Sequence, residues 1–218
     1  MFFTSLFFDL DGTIYSNDNG LWDEIRHRMG RYMVERMHLP SDQVPLLRQA
    51  YYKKYGTTLR GLQHHHQVDV DDYLSYVHDI PLADYLKPLP ELRKILLSLP
   101  QRLWIFTNAS GEHARRVLKI MDLSECFSGI IDIRSTDFFC KPDPEAYHRA
   151  LAFAEEKNAN CCILFDDAEA NIESAHSLGI RTALVGASSR SNSAADWLLH
   201  SLIDLPKVIP ELWVVQKI

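Results

Sequence analysis

Short, continuous apolar runs separated by helical patterns constrain this chain more than any other feature. Leu6-Phe7-Phe8, Leu103-Trp104-Ile105-Phe106, Gly129-Ile130-Ile131-Asp132-Ile133, Cys161-Cys162-Ile163-Leu164-Phe165 and Thr182-Ala183-Leu184-Val185 do not alternate polar with apolar. A strand with one wet face alternates, whereas a strand in a parallel sheet covered on both faces does not. Helices separate the runs from residue 100 onward. Ser110 is placed to cap a helix carrying Ala114, Val117, Leu118 and Met121 on one face. A second helix carries Ala170, Ile172, Ala175 and Leu178 and stops at Gly179. This alternation predicts an α/β core, a doubly wound, Rossmann-like parallel sheet whose first strand covers residues 6–9.

Residues 16–87 break the rhythm. The spacing of Ile25, Met29, Tyr32, Met33 and Met37 predicts a helix over 21–39, ended by Pro40. Ser41 opens a second helix through Tyr51-Tyr52, and 70–77 carries a weaker third pattern. No strand is predicted here, so the reading is an all-helical insert, 16–87, in a core made of 1–15 and 88–218. Residues 186–193 read as a polar loop, and 206–212 as a last short helix.

Composition narrows the functional classes. The 218 residues carry 23 Lys+Arg against 29 Asp+Glu, a formal net charge of −6. That balance argues against a nucleic-acid polymer or an anionic membrane held by bulk electrostatics. No apolar run approaches the ~20 residues of a membrane span. The opening Met1-Phe2-Phe3-Thr4-Ser5 has no basic leader and meets Asp9, which reads as a buried strand and not a signal peptide. Cys126, Cys140, Cys161 and Cys162 lack C-x-x-C spacing, so reduced thiols in a cytoplasmic protein are expected.

The acids stand at strand ends. Asp9-Leu10-Asp11-Gly12-Thr13 follows the first apolar run directly. The two carboxylates can share a site only if the chain bends after Asp9, and Gly12 allows that bend. Asp166-Asp167 follows another run, with Asn171 on the next helix. Adjacent carboxylates repel unless a cation or hydrogen bonds compensate. Hard oxygen donors in this arrangement suit Mg²⁺, while an N-cap role for either acid is compatible with metal binding. Thr107-Asn108, between a strand and a helix, could cradle an anion, and Lys141-Pro142 opens another helix.

The ordered set Asp9-x-Asp11-Gly12-Thr13, Thr107-Asn108, Lys141-Pro142 and Asp166-Asp167…Asn171 resembles the four motifs of the haloacid dehalogenase superfamily of phosphohydrolases. The insert resembles the helical cap of that superfamily's first subclass. Tyr55-Gly56-Thr57-Thr58-Leu59-Arg60-Gly61-Leu62 and Trp104-Ile105-Phe106-Thr107-Asn108-Ala109 are similar to the pyrimidine 5′-nucleotidase branch. That branch often carries Asn in its first motif, where this chain keeps the general phosphatase form.

The resemblance implies that Asp9 is the nucleophile and Asp11 the general acid and base. It places Mg²⁺ between the Asp9 carboxylate, the Asp11 carbonyl and Asp167, with Asp166 and Asn171 holding its waters. Thr107, the Asn108 backbone and Lys141 would then neutralise the phosphoryl oxygens. The expected substrate is a small phosphorylated metabolite, UMP or CMP in the first instance; a sugar phosphate or similar metabolite is the alternative, and a non-catalytic phosphate-binding relative a remoter one. The protein would be a monomer or a homodimer. In the cap, Arg60 could meet a nucleotide, Tyr51, Tyr52 and Tyr55 could stack a base or simply pack, and His64-His65-His66 reads as a polar loop.

Overall fold

A computed structural model describes residues 2–186 and 194–214. Most of the polar loop expected at 186–193 therefore lies outside the described residues. In chain order the elements are β1 (Ser5–Phe8), α1 (Leu21–Glu35), α2 (Val44–Tyr55), α3 (Thr58–His65), α4 (Val70–His78), α5 (Pro90–Leu97), β2 (Arg102–Phe106), α6 (Gly111–Ile120), β3 (Gly129–Ile131), α7 (Pro144–Phe153), β4 (Cys162–Asp166), α8 (Glu169–Ser177), β5 (Arg181–Val185), β6 (Trp197–Leu199) and α9 (Leu205–Val208).

The strands form one parallel sheet in the order β3-β2-β1-β4-β5-β6. This is a doubly wound α/β fold, as the apolar runs predict. Every residue of β1 and β4 is buried, which is why neither alternates. One face buries Leu6, Phe8, Ile105 and Phe165 with Val117 and Leu118 of α6. The other buries Phe7, Phe106 and Leu164 with Tyr147 and Ala150 of α7 and Ala175 of α8. Phe8 and Phe165 stack at 4.6 Å between centroids, locking the two central strands side by side. The chain reverses its winding at β1, which has β2 on one side and β4 on the other. A crevice therefore opens at the carboxyl ends of these three strands, where ligands bind in open α/β sheets.

Between β1 and β2 the described secondary structure is helical through residue 97. Helices α1 to α4 bury Tyr32, Met33, Tyr51, Leu62, Tyr73 and Val77 in a cluster of their own, which continues onto Ile133 and Cys140 of the core. The insert is thus seated on the segment that leads to Lys141.

Several boundaries differ from expectation. Helix α1 ends at Glu35 and not at Leu39, because His38 turns left-handed (φ 56°) and the Leu39 N–H closes onto the Met33 carbonyl. Helix α2 begins at Val44, three residues after Ser41, with Pro45 in its first turn. The histidine triplet is not a loop: His64 and His65 form the last turn of α3 and His66 caps it. The α3 helix was not anticipated, since Gly61 lowers its propensity. It forms because Thr57 Oγ1 accepts the Arg60 N–H at 3.1 Å and because Leu59 and Leu62 are buried. Gly61 is needed there, since a Cβ would stand 2.2 Å from Tyr51 Cγ. Helix α5 and the three-residue edge strand β6 were also unread.

Candidate active site

The site is assembled from four chain segments at the carboxyl edge of the sheet. Asp9 follows β1 and continues its ladder, donating its N–H to Phe165 O at 2.9 Å. The chain then bends, with the N–H groups of Thr13 and Ile14 both directed at Leu10 O. Gly12 (φ 100°) lies so close to Asp167 that a Cβ would stand 2.4 Å from Oδ2. This turn brings the segment after Asp9 against Asp167, so Gly12 supplies both the bend and the close approach.

Lys141 is the hub. Its side chain is 1% exposed, and its Nζ donates to Asp9 Oδ1 at 2.8 Å and to Asp166 Oδ2 at 2.6 Å. Nζ also stands 4.9 Å from the centre of the Phe106 ring. Burial works against the ammonium, but Asp166 and Asp9 together raise its pKa above the usual lysine value. Asn108 holds the Lys141 peptide from both sides: Nδ2 donates to Lys141 O at 2.9 Å and Oδ1 accepts from Lys141 N at 2.8 Å. Thr107 is buried beside it, and its Oγ1 accepts the Ala109 N–H at 3.0 Å.

The two adjacent acids have different surroundings. Asp166 is fully buried; besides Lys141 on Oδ2, its Oδ1 accepts from Ala168 N at 3.0 Å and Asn171 Nδ2 at 2.9 Å. Asp167 Oδ2 accepts from Asn17 Nδ2 at 3.2 Å, and among the described residues no other side chain donates to this carboxylate. Burial and the charge of Asp166 push the Asp167 carboxyl up to about 6. Burial first, then Asp166 and Asp167, also raises Asp9 well above the usual carboxylate range, with Lys141 opposing.

Carboxylate oxygens of Asp9, Asp166 and Asp167 all lie within 4.8 Å of one another. Three carboxylates against one ammonium leave two negative charges, and all the donors are hard oxygens. A divalent cation such as Mg²⁺ fits that set, with Asp9 and Asp167 the acids that keep oxygens free for it.

Asp11 is set apart from this cluster. Its Oδ1 accepts from the Tyr15 hydroxyl and from His113 Nε2, the latter at 3.2 Å. Burial alone would raise the Asp11 pKa, but His113 and Tyr15 hold it below the usual value. Burial and the nearby Asp11 push the Tyr15 hydroxyl well up.

Arg60 is not part of the acid and lysine cluster. Its guanidinium lies over the Phe139 ring at 5.2 Å, on the segment preceding Lys141. Tyr51 and Tyr55 are occupied with the histidines: Tyr51 OH lies 2.9 Å from His66 Nε2 and Tyr55 OH 2.7 Å from His65 Nε2. Tyr52 differs from its neighbours. It is 61% exposed, and partial burial and the charges of Asp167, Asp166 and Asp9 raise its hydroxyl.

Sequence reasoning missed Tyr15, Asn17 and His113. A signal for His113 was present, since it lies on the same stripe of α6 as Ala114, Val117 and Leu118, where a polar ring needs a partner.

A family model described as haloacid dehalogenase-like hydrolase matches residues 3–202. The chain belongs to that family. Phosphate metabolism protein 8 of Saccharomyces cerevisiae is 32% identical over 189 residues, covering 80% of this chain and 59% of that protein. The chain thus spans about three-fifths of that relative's length. Pyrophosphatase PpaX of Listeria welshimeri is 22% identical over 94% of this chain and 96% of its own. Among solved structures, the magnesium-bound putative HAD-hydrolase YfnB of Bacillus subtilis superposes with a TM-score of 0.61 at 16% identity, covering 95% of this chain and 98% of that one. The L-2-haloacid dehalogenase of Xanthobacter autotrophicus with covalently bound chloropropionic acid gives the same TM-score at 16% identity, covering 94% and 97%. At these identities the structures establish the shared fold.

Proposed function

We propose that this hydrolase is a Mg²⁺-dependent phosphomonoesterase that works through an aspartyl-phosphate on Asp9, with pyrimidine nucleoside 5′-monophosphates such as UMP and CMP as its substrate class. The reading is carried by one observation: the buried Lys141 ammonium holds the Asp9 carboxylate while a second carboxylate, Asp11, stands two residues away with Oδ2 unengaged among the described residues. Dehalogenase chemistry has no use for a second acid. A phosphomonoester does, because its leaving oxygen needs a proton. The phosphate-related names of the yeast and Listeria relatives support the same direction.

In the proposed reaction Asp9 attacks phosphorus while Lys141 and Thr107, fixed by Asn108, neutralise the phosphoryl oxygens. His113 and Tyr15 hold Asp11 ionised in the free site, so the proton it passes to the leaving oxygen enters with a singly protonated phosphate ester; Asp11 then takes a proton from the water that releases phosphate. Asp9, the Asp11 carbonyl and Asp167 would hold Mg²⁺, with Asp166 and Asn171 behind them; when bound, the ion neutralises charge that builds on the phosphoryl group.

Residues 16–87 act in this reading as a cap on a core of 1–15 and 88–218, closing over the substrate and excluding water. Arg60 and Tyr52 are its candidates for contact with the leaving group. Four free thiols fit a cytoplasmic setting, and among the described residues no helix is long and apolar enough to cross a membrane. A monomer or a homodimer suits a site built within one chain.

The test is phosphate release from a panel of nucleotides, sugar phosphates, pyrophosphate and p-nitrophenyl phosphate with Mg²⁺. UMP and CMP should lead the panel, and Asp9→Asn, nearly isosteric but not nucleophilic, should turn over none of it. Near-native activity in the folded Asp9→Asn protein would refute the nucleophile; a sugar phosphate at the head of the panel would refute the nucleotide.

A further inference from the structure

His113 has no ordinary reason to be where it is. It is 0% exposed, on the stripe of α6 that packs against the sheet, where a leucine or phenylalanine would cost nothing in desolvation. Its Nδ1 has no hydrogen-bond partner among the described residues. The ring's side-chain hydrogen bond is the one from Nε2 to Asp11 Oδ1, at 3.2 Å. One face of the ring is fixed by His78, the last residue of α4, which stacks on it at 4.3 Å between centroids with the planes 16° apart. His78 is itself held: its Nδ1 is 3.4 Å from Ser110 Oγ, and Arg116 donates to the carbonyls of His78 at 2.7 Å and Ile80 at 2.6 Å. The Asp11 carboxylate therefore leans on a ring whose plane is set jointly by α6 and by the end of the helical insert.

The consequence lies in which oxygen is taken. A carboxylate torsion is broad and roughly two-fold, so an unrestrained Asp11 would present either oxygen in several orientations. The Tyr15 hydroxyl and His113 both take Oδ1. With Nε2 carrying the imidazole hydrogen, both Tyr15 and His113 donate to Oδ1 and nothing among the described residues takes Oδ2, so a proton carried by this carboxyl resides on Oδ2.

We propose that His113 is the positioning residue of Asp11, fixing Oδ2 as the atom that exchanges a proton with the leaving group. The proposal rests on the phosphomonoesterase reading above. In the first step the bond from an Asp9 carboxylate oxygen to phosphorus forms and the bond from phosphorus to the ester oxygen breaks. The electron pair stays on the ester oxygen, which receives the proton from Asp11 Oδ2. In the second, a water oxygen bonds to phosphorus, the Asp9 oxygen leaves, and the water proton goes to Asp11 Oδ2. His113 touches none of the reacting atoms; it sets where the proton stands.

The test compares two esters in one enzyme preparation. A sugar phosphate leaves as a poor alkoxide and needs the proton. The nitrophenolate of p-nitrophenyl phosphate leaves without one. The readout is the ratio of their kcat/KM values, which reports the steps through leaving-group departure and is independent of the fraction of enzyme that is folded. His113→Phe keeps the ring and the stack but removes the donor, and should lower the alkyl ester about ten- to a hundredfold relative to the aryl ester, a part of what general acid catalysis contributes. His113→Gln, which can place an amide donor near Nε2, should return the ratio toward wild type. An unchanged ratio in His113→Phe would overturn the proposal, as would a Gln variant as selective as the Phe variant. Asp11→Asn separates the two levels. A shifted ratio there with none in His113→Phe refutes the positioning role alone, and no shift in Asp11→Asn refutes Asp11 as the acid and His113 with it.

Discussion

Replacing Lys141 by Met removes one charge and keeps most of the volume, so it isolates what the ammonium does. In the folded protein its Nζ is shared between Asp9 Oδ1 and Asp166 Oδ2 at 2.8 and 2.6 Å, with the side chain 1% exposed. Without it, Asp9, Asp166 and Asp167 face one another with no positive group among them. Removing one partner of a buried ion pair costs about 3–5 kcal/mol, because the other charge stays buried and uncompensated. For a chain of this size that is a fall in Tm of about 6–20 °C. The pH dependence follows from Asp9, whose pKa is already raised by burial. A carboxyl with a raised folded pKa binds protons more readily folded than unfolded, so its stability contribution is complete below the unfolded value and is lost as pH rises through the folded one. Loss of Lys141 pushes Asp9 further up. The deficit should therefore be largest near pH 8, shrink as the pH falls toward 5, and shrink again when millimolar Mg²⁺ is added at pH 8. Thermal or urea unfolding of both proteins across that range measures it. A deficit below about 1 kcal/mol at pH 8, or one that grows on acidification, would refute the charge argument.

Three further substitutions test the same geometry. Asp167→Ala should raise the Mg²⁺ concentration needed for half-maximal phosphate release far more than Asp166→Ala, while Asp166→Ala should be the less stable protein, because it strips partners from Lys141, Ala168 and Asn171; metal titrations and melting curves read the two effects separately. Gly12→Ala places a methyl 2.4 Å from Asp167 Oδ2 at a φ of 100°, and left-handed strain plus overpacking should cost about 2–5 kcal/mol. Its Mg²⁺ requirement should rise with that loss, and a wild-type requirement would show that Asp167 moves without consequence. Arg60→Ala should lower kcat/KM for UMP or CMP about ten- to a hundredfold and spare p-nitrophenyl phosphate, as expected for one charge-assisted contact; equal losses on both would leave Arg60 a brace against Phe139.

The amino-acid order determined the sheet and the chemistry at its edge. Fully buried strands cannot alternate, so Leu6-Phe7-Phe8 and Cys162-Ile163-Leu164-Phe165 declare themselves, and the acids that follow them stand at the carboxyl ends. Weak elements were a different matter. Helix α3 contains a glycine and two histidines, and it exists because Tyr51 packs close against Gly61 and Thr57 caps its first turn. Strand β6 is three residues long and is defined by its pairing with β5.

Tertiary structure alone decided the partnerships. Lys141 reaches Asp9 across 132 positions of sequence, and His113 reaches Asp11 across 102. Those distances collapse because β3, β2, β1 and β4 are parallel neighbours in that order, so that the segments following all four strands meet at one edge. Local pattern marks which residues will be buried and which strand ends carry acids. It holds no record of which buried polar group will lie against which, because that depends on the strand order, and strand order is a property of the whole sheet.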